Sequence, residues 1–366
     1  MPHSSARTSG ALGMAAKVVL SASLVASIAA CSSAGDSSPS AEDDSAALAA
    51  GCAAIDIAKA AERCDAAPPS VQPEGFRHEK YNDPPKHRAR DMFYREGEPQ
   101  YLLGKFAYGT LDDRMKDEDV DIFVLEGCGT NWKKLARVRT SKNDHSSMNV
   151  DGFEDDEGRL IYPLPPAQRL PVGRHRVRMV AVADGTATES FIEVVPKGTK
   201  LAVIDIDGTI NLGMALEETF KVFDAASPVR EGAPEVLQAL AAKGYRPFYL
   251  TARADLDIGR TREFIRARGL PDGIVHTTQL LVGLFGLPAA VFKEGELDLQ
   301  KNRGLVATFA FGNQKSDAEA YDYARVERSR RFFYGFDDAQ YGGRRIDSYT
   351  DILTEIKAVP STCSTH

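Results

Sequence analysis

The chain has 366 residues, 43% of them hydrophobic and 27% charged, with 45 Lys plus Arg against 52 Asp plus Glu and a formal charge of −7 at pH 7. That much apolar surface can build packed cores, which excludes a wholly disordered or fibrous chain, and the length suits two domains. The acidic balance argues against nucleic acid as a partner, because non-specific binding to it needs a basic field.

Residues 1–30 have the layout of an address. Arg7 and Lys17 stand in a stretch without acids, residues 18–26 are apolar and small, and Ser27-Ile28-Ala29-Ala30 leads to Cys31. This is the order of a secretory signal, and it is too short for a mature membrane-spanning helix. The cleavage segment resembles the bacterial lipobox. That resemblance implies an exported lipoprotein beginning at a lipidated Cys31, with Ser32 after it pointing to the outer membrane, facing the periplasm or cell surface. Residues 32–51 hold Ser, Ala, Gly and acids and too little bulky apolar surface to order themselves, so they are expected to be a tether. Cys52, Cys64, Cys128 and Cys363 then make disulfides plausible in three pairings, of which Cys52 with Cys64 closes the shortest loop. Free buried thiols are the alternative. From Cys64 to about Gln100 the chain is rich in Pro and basic residues, as in Pro84-Pro85-Lys86-His87-Arg88, without sustained periodicity. Residues 31–95 are therefore expected to be tether and linker.

The pattern changes over residues 96–197. Short apolar runs at 101–108, 120–125, 135–138, 160–162, 175–183 and 191–195 are broken by Gly and Asp, which predicts an all-β, Ig-like sandwich. From 198 to 360 strands alternate with helices. Residues 201–204, 247–250 and 306–311 read as buried strands, and 233–243, 258–268 and a stretch from about Asp317 as helices. This is the grammar of an α/β domain with a mainly parallel sheet, whose ligands lie at the carboxyl ends of the strands.

Those ends carry the chemistry-bearing residues. The first strand runs into Asp205-Ile206-Asp207-Gly208-Thr209, two carboxylates beside a glycine, suited to a nucleophile and a general acid and base that share a divalent cation. The second runs into Thr251-Ala252-Arg253, a hydroxyl and a guanidinium suited to an anion. The third runs into Gly312-Asn313-Gln314-Lys315-Ser316-Asp317, and Phe292-Lys293-Glu294 supplies a cation for phosphate charge. Each piece alone is commonplace, but the set in this order is specific.

The set resembles the four motifs of haloacid dehalogenase-type phosphatases. Within that superfamily it is most similar to the lipin, Ned and Smp phosphatidate phosphatase domain, over about residues 200–341, through VIDIDGTI, AKGYRPFYLTARA, TREFIRARGLPDG, FKEGEL and FAFGNQKSDAEAY. The C-terminal domain of membrane-associated phosphatidylinositol transfer proteins is similar in the same places, and the preceding sandwich resembles a segment found before such domains. The resemblance implies a Rossmann-like haloacid dehalogenase fold. It implies Asp205 as the nucleophile that forms an aspartyl-phosphate and Asp207 as general acid and base. Thr251 and Lys293 would bind phosphoryl oxygens, with Gly208, Thr209 and Arg253 also at the phosphate. Mg²⁺ would be held by the Asp205 carboxylate, the Asp207 backbone carbonyl and the fourth motif through Asn313 and Asp317, with Asp317 the charged ligand because Asn313 stands where many relatives have Asp. Lys301 is the rival to Lys293. Only about 24 residues separate Thr209 from the helix at Ala233, too few for a large cap, so the site is expected to be open. Leu212, Met214, Leu216, Phe220, Val222 and Phe223 fall in that stretch and are expected to pack on the core, with membrane insertion as the alternative.

The expectation is thus a Mg²⁺-dependent phosphomonoester hydrolase acting on phosphatidate at a membrane surface, with phospholipid as substrate or partner. Two alternatives stand beside it. One is a module that binds phosphatidate without hydrolysing it, as the transfer-protein relatives are thought to do; those relatives lack the complete acid pair that Asp205 and Asp207 form here. The other is a phosphatase for a soluble periplasmic ester.

Overall fold

The computed structural model describes residues 64–78, 80–212 and 227–362. The signal, Cys31, the tether, Cys52, Cys363 and residues 213–226, with Met214, Leu216, Phe220, Val222 and Phe223, lie outside them. Leu212 is described and exposed.

Strands β1 (Arg88–Ala89), β2 (Met92–Arg95), β3 (Tyr101–Lys105), β4 (Ala107–Tyr108), β5 (Asp113–Arg114) and β6 (Asp119–Leu125) open the sandwich, and β7 (Trp132–Arg139), β8 (Asn149–Val150), β9 (Phe153–Glu154), β10 (Arg159–Pro163), β11 (Gly173–Ala181) and β12 (Ala187–Val195) complete it. A sheet ordered β1-β3-β10 faces one ordered β2-β12-β11-β6-β7. Alternation does the sorting along β11, where His175, Val177 and Met179 point inward between Arg174, Arg176 and Arg178. The Met, Leu, Val and Ile side chains turned inward from both sheets form one core.

The linker expected up to residue 95 is corrected by β1 and β2. Met92, Phe93 and Tyr94 are buried, and β2 pairs with β12 in parallel register, Ile192 opposite Met92. Strands of two and four residues are too short to show period two, so their burial is not visible in the sequence. Arg88 is no solvated basic residue either: it is buried and forks onto Asp112 while donating to Asp255 at 2.8 Å.

Of the three cysteine pairings the structure contains a disulfide between Cys64 and Cys128, 64 residues apart, which is not the shortest loop. Cys64→Ser with Cys128→Ser is expected to lower the unfolding free energy by about 2–4 kcal/mol in urea, since so long a loop releases much chain entropy when opened. A loss that reducing agent does not reproduce in the parent would contradict this.

His87 joins the sandwich by accepting the Ala107 N–H at Nδ1 (3.2 Å) and facing the Thr186 hydroxyl with Nε2 (2.8 Å). Burial drives its pKa down to about 4, against the upward pull of Asp184. The unfolded imidazole titrates near 6.5 and takes its proton first on acidification. The stabilisation is therefore present above pH 6.5 and is lost as pH falls towards 4, by up to about 3 kcal/mol. Unfolding midpoints for parent and His87→Gln that are parallel in pH would contradict it.

The α/β domain has a six-stranded, all-parallel sheet built from β13 (Lys200–Ile204), β14 (Arg246–Leu250), β15 (Ile274–His276), β16 (Val306–Gly312), β17 (Arg331–Tyr334) and β18 (Arg344–Ile346). Its helices are α1 (Ala233–Ala241), α2 (Ile258–Ala267), α3 (Gly286–Asn302), α4 (Lys315–Tyr323) and α5 (Thr350–Ala358). The strand order β15-β14-β13-β16-β17-β18 is the doubly wound arrangement, and its direction reverses between β13 and β16. A run such as Leu201-Ala202-Val203-Ile204, buried on both faces, can sit only in such a covered sheet. The two domains share apolar surface: Phe93 and Val195 pack with Leu201, Val203 and Phe248. Among the described residues no helix is long and apolar enough to cross a membrane.

Candidate functional site

Asp205 leaves β13 and Asn313 leaves β16, the two strands flanking the switch point, so the crevice that ligands use in open parallel sheets opens between them. The turn after Asp205 depends on Gly208. Its φ is +78°, and a Cβ there would lie 2.2 Å from Asn313 Nδ2, so any larger residue would push the two motifs apart.

Asp205 is buried, with Lys293 Nζ 2.7 Å from Oδ1 and the Thr209 hydroxyl 2.7 Å from Oδ2. Thr209 Oγ1 also lies 3.1 Å from Asn313 Oδ1, so the two oxygen acceptors converge on one hydroxyl. Lys293 comes from α3, which turns Lys293, Glu296, Leu297 and Gln300 inward. Its ammonium reaches Asp317 Oδ1 as well, at 2.5 Å. Lys301 is exposed, so the geometry places Lys293 in the site.

Asp317 differs from the expected charged metal ligand in how it is used. Its Oδ2 receives the main-chain N–H of Asn313 (2.9 Å) and Gln314 (3.0 Å), capping α4, while Oδ1 receives Lys293. It fixes the loop after β16 and anchors the lysine.

One ammonium between two carboxylates shapes the local charge. Burial opposes ionisation of Lys293, but Asp205 and Asp317 together raise its pKa. Burial also raises the Asp205 pKa; Lys293 pulls it down, and the neighbouring charges of Asp317 and Asp207 push it up again, for a net upward shift. The Lys293 shift thus comes from its two carboxylate partners, and the Asp205 shift chiefly from burial.

Asp207 faces the other way and is 48% exposed at its side chain. Arg253 grips it as a fork, Nε to Oδ2 at 2.7 Å and a terminal nitrogen to Oδ1 at 2.5 Å, with Asn211 at 3.2 Å and the Thr251 hydroxyl at 3.3 Å. Burial works against its charge, yet Arg253 and these hydrogen bonds outweigh it and hold the carboxyl below the usual range. The structure thus gathers Asp205, Thr209, Lys293, Asn313 and Asp317 in one cluster, and Asp207, Thr251 and Arg253 beside it.

Arg230 was not foreseen. It donates to the Gly208 carbonyl at 3.1 Å, lies 3.8 Å over the Tyr334 ring, and keeps a buried Nε without a hydrogen-bond partner. It follows no strand and belongs to no motif, so spacing gives no sign of it. Arg230 thus adds a third cation, beside Lys293 and Arg253, at the turn that carries Asp205 and Asp207.

Among the described residues no group of three or more His, Cys, Asp or Glu is placed to hold a metal. The donors that do converge, Asp205 Oδ2 and Asn313 Oδ1, are hard oxygens of the kind Mg²⁺ accepts.

Fold and site together define a β-sandwich joined to a parallel α/β domain with acids and cations set at its strand ends. Residues 85–194 match the β-sandwich domain of the PITM 1–3 proteins, and residues 202–335 match their LNS2 domain. Membrane-associated phosphatidylinositol transfer protein 3 of Mus musculus is 28% identical over 257 residues, 70% of this chain and 24% of the relative. Membrane-associated phosphatidylinositol transfer protein 1 of Homo sapiens is 30% identical over 218 residues, 57% and 16% respectively. Protein retinal degeneration B of Drosophila melanogaster is 27% identical over 271 residues, 74% and 19%. The chain spans about a quarter or less of the length of these relatives. Of the two resemblances drawn from the sequence, the comparisons favour the transfer proteins. A solved structure from Mesorhizobium loti described as a HAD-like phosphatase is 15% identical, with a TM-score of 0.33 over 44% of this chain and 88% of that one, a likeness too slight to carry an argument.

Proposed function

We propose that the strand-end site binds the phosphomonoester headgroup of an anionic phospholipid, phosphatidate being the fitting class. The observation that carries this is the Asp207–Arg253 fork. A carboxylate held ionised by a bidentate guanidinium has no proton to give a leaving alkoxide, whereas the guanidinium can exchange it for a phosphate of similar geometry. Lys293 and Arg230 add charge around the same turn, and the names of the relatives, phosphatidylinositol transfer proteins, support a phospholipid ligand.

Hydrolysis is the second reading, favoured by a specific observation: both carboxylates of the nucleophile and acid pair are present, and Asp205 is oriented by Lys293 and Thr209. In that reading Asp205, Asp207 and Asn313 would hold Mg²⁺, which neutralises phosphate charge when bound. Asp205 would be kept apart from water by burial, and Asp207 would have to leave Arg253 to carry a proton.

The test is flotation with phosphatidylcholine vesicles, with and without phosphatidate, alongside phosphate release in Mg²⁺. Arg253→Ala is expected to weaken the preference for phosphatidate about tenfold, the loss of one charge-assisted fork. Equal binding to both vesicles would end the binding reading, and release by the parent but not by Asp205→Asn would establish hydrolysis.

A further inference from the structure

Loops between a parallel strand and its helix normally hide their apolar side chains, but residues 280–285 of the 277–285 connection from β15 to α3 do not. Leu280, Leu281, Val282 and Phe285, followed on the first turns of α3 by Leu287 and Val291, are 47% to 74% exposed. They account for six of the eleven exposed large hydrophobics among the described residues, and no charged residue stands between Gln279 and Phe292. Single exposed leucines are ordinary, but a cluster of this kind costs solubility unless it has a use.

The loop is firmly held. The Asp255 N–H donates to the Leu280 carbonyl (2.9 Å), the Leu284 N–H to Ala252 (2.8 Å) and the Thr278 N–H to Arg253 (3.0 Å). Gly283 passes so close that a Cβ would sit 3.1 Å from the Ala252 carbonyl. Its main chain is thus sutured to the Thr251-Ala252-Arg253 turn of the strand-end site while its side chains face outward. On α3 the periodicity agrees, with Leu287 and Val291 on one face and Lys293, Glu296 and Leu297 on the other.

What would cover this patch is indicated by the charges around it. Leu281 lies on the margin of a groove of about 840 Å³ whose lining carries eight Lys and Arg side chains, Lys86, Arg260 and Arg266 among them, against the four acids Glu189, Asp257, Glu263 and Asp272, a local excess of positive charge in a chain of net charge −7. An apolar tip bordered by cations matches the boundary of an anionic bilayer, where apolar side chains enter the acyl region and guanidinium groups lie among phosphates.

We propose that residues 280–287, with Val291, are the element that docks this domain on an anionic membrane surface and so brings the strand-end site to its lipid. The second half of this rests on the headgroup reading above; the first does not.

In the full chain carrying Trp132→Phe and Phe285→Trp, the single indole reports on the loop. With vesicles of phosphatidylcholine and phosphatidylglycerol bearing brominated acyl chains, most of the indole emission is expected to be quenched. Leu281→Ser with Val282→Ser is expected to weaken partition of the loop about tenfold or more. Phosphatidylglycerol is a phosphodiester, so this result stands even if Arg253→Ala leaves phosphatidate binding unchanged, and failure of the headgroup reading is seen separately. No quenching, whether or not the chain sediments with vesicles, overturns the proposal. A serine variant whose unfolding free energy falls by more than about 0.5 kcal/mol also overturns it, because the loop then packs on its own chain.

Discussion

Lys293→Met is expected to lower the unfolding free energy by about 3–5 kcal/mol and to abolish binding of phosphatidate vesicles over phosphatidylcholine. The lysine is 3% exposed, and its ammonium is the ion-pair partner of both Asp205 and Asp317, which are as buried as it is. Methionine has similar volume and fills the space, so the cost is electrostatic: two carboxylates remain in a poorly solvated site with no counter-charge. Asp317 keeps the two N–H groups of the α4 cap, whereas burial already raises the Asp205 pKa, so Asp205 is the member expected to take up a proton. Adding Asp205→Asn to Lys293→Met removes one stranded charge and should recover part of the loss, a coupling that urea unfolding of the four proteins in the cycle measures directly. If Lys293→Met costs less than about 1 kcal/mol, the cluster is hydrated and the site is not the enclosed one described above.

How much of this is legible in the sequence varies with the length and setting of each element. The strand ends are readable because a buried parallel strand must be a continuous apolar run, and whatever polar residue follows it is at the sheet's carboxyl edge: Asp205 after Leu201-Ala202-Val203-Ile204, Thr251 after Pro247-Phe248-Tyr249-Leu250. The mutual geometry is not readable. Nothing in the spacing distinguishes an Asp317 that ligates a cation from one that caps α4, because both require an acid a few residues past the strand. Arg230 is invisible for a different reason: it acts through a backbone carbonyl and an aromatic face, and neither leaves a residue-type pattern. The sandwich is legible where alternation runs for several residues, as in β11, and illegible at β1 and β2, whose few residues are buried by tertiary contacts alone. The apolar loop after β15 is plain as composition, but that it faces outward emerges only once α3 turns Lys293 inward.

Asp91→Ala is expected to be as costly as Lys293→Met, about 3–5 kcal/mol, and to make the two domains unfold in separate steps where the parent unfolds in one. Asp91 lies just before β2 and is fully buried. One oxygen accepts the Phe191 N–H of β12 at 2.7 Å and the Arg262 guanidinium of α2 at 2.5 Å, and the other accepts the Val275 N–H of β15 at 3.1 Å. A single carboxylate therefore bonds a sandwich strand, a helix and a strand of the α/β domain. Alanine leaves two buried N–H groups unpaired and Arg262 with only the Glu189 and Ala89 carbonyls. The effect should reach the site by a short path. The Asp91 carbonyl accepts from His276 Nε2 at 2.8 Å, and the His276 carbonyl accepts the Thr251 N–H at 3.0 Å, so the sandwich is two hydrogen bonds from the turn that carries Arg253. Asp91→Asn keeps one acceptor and places an amide against one of the N–H groups, and should fall between alanine and the parent in stability. Weaker binding of phosphatidate vesicles by Asp91→Ala, measured where the α/β domain is still folded, would show that the sandwich positions this turn. Unchanged binding there would confine its role to stability.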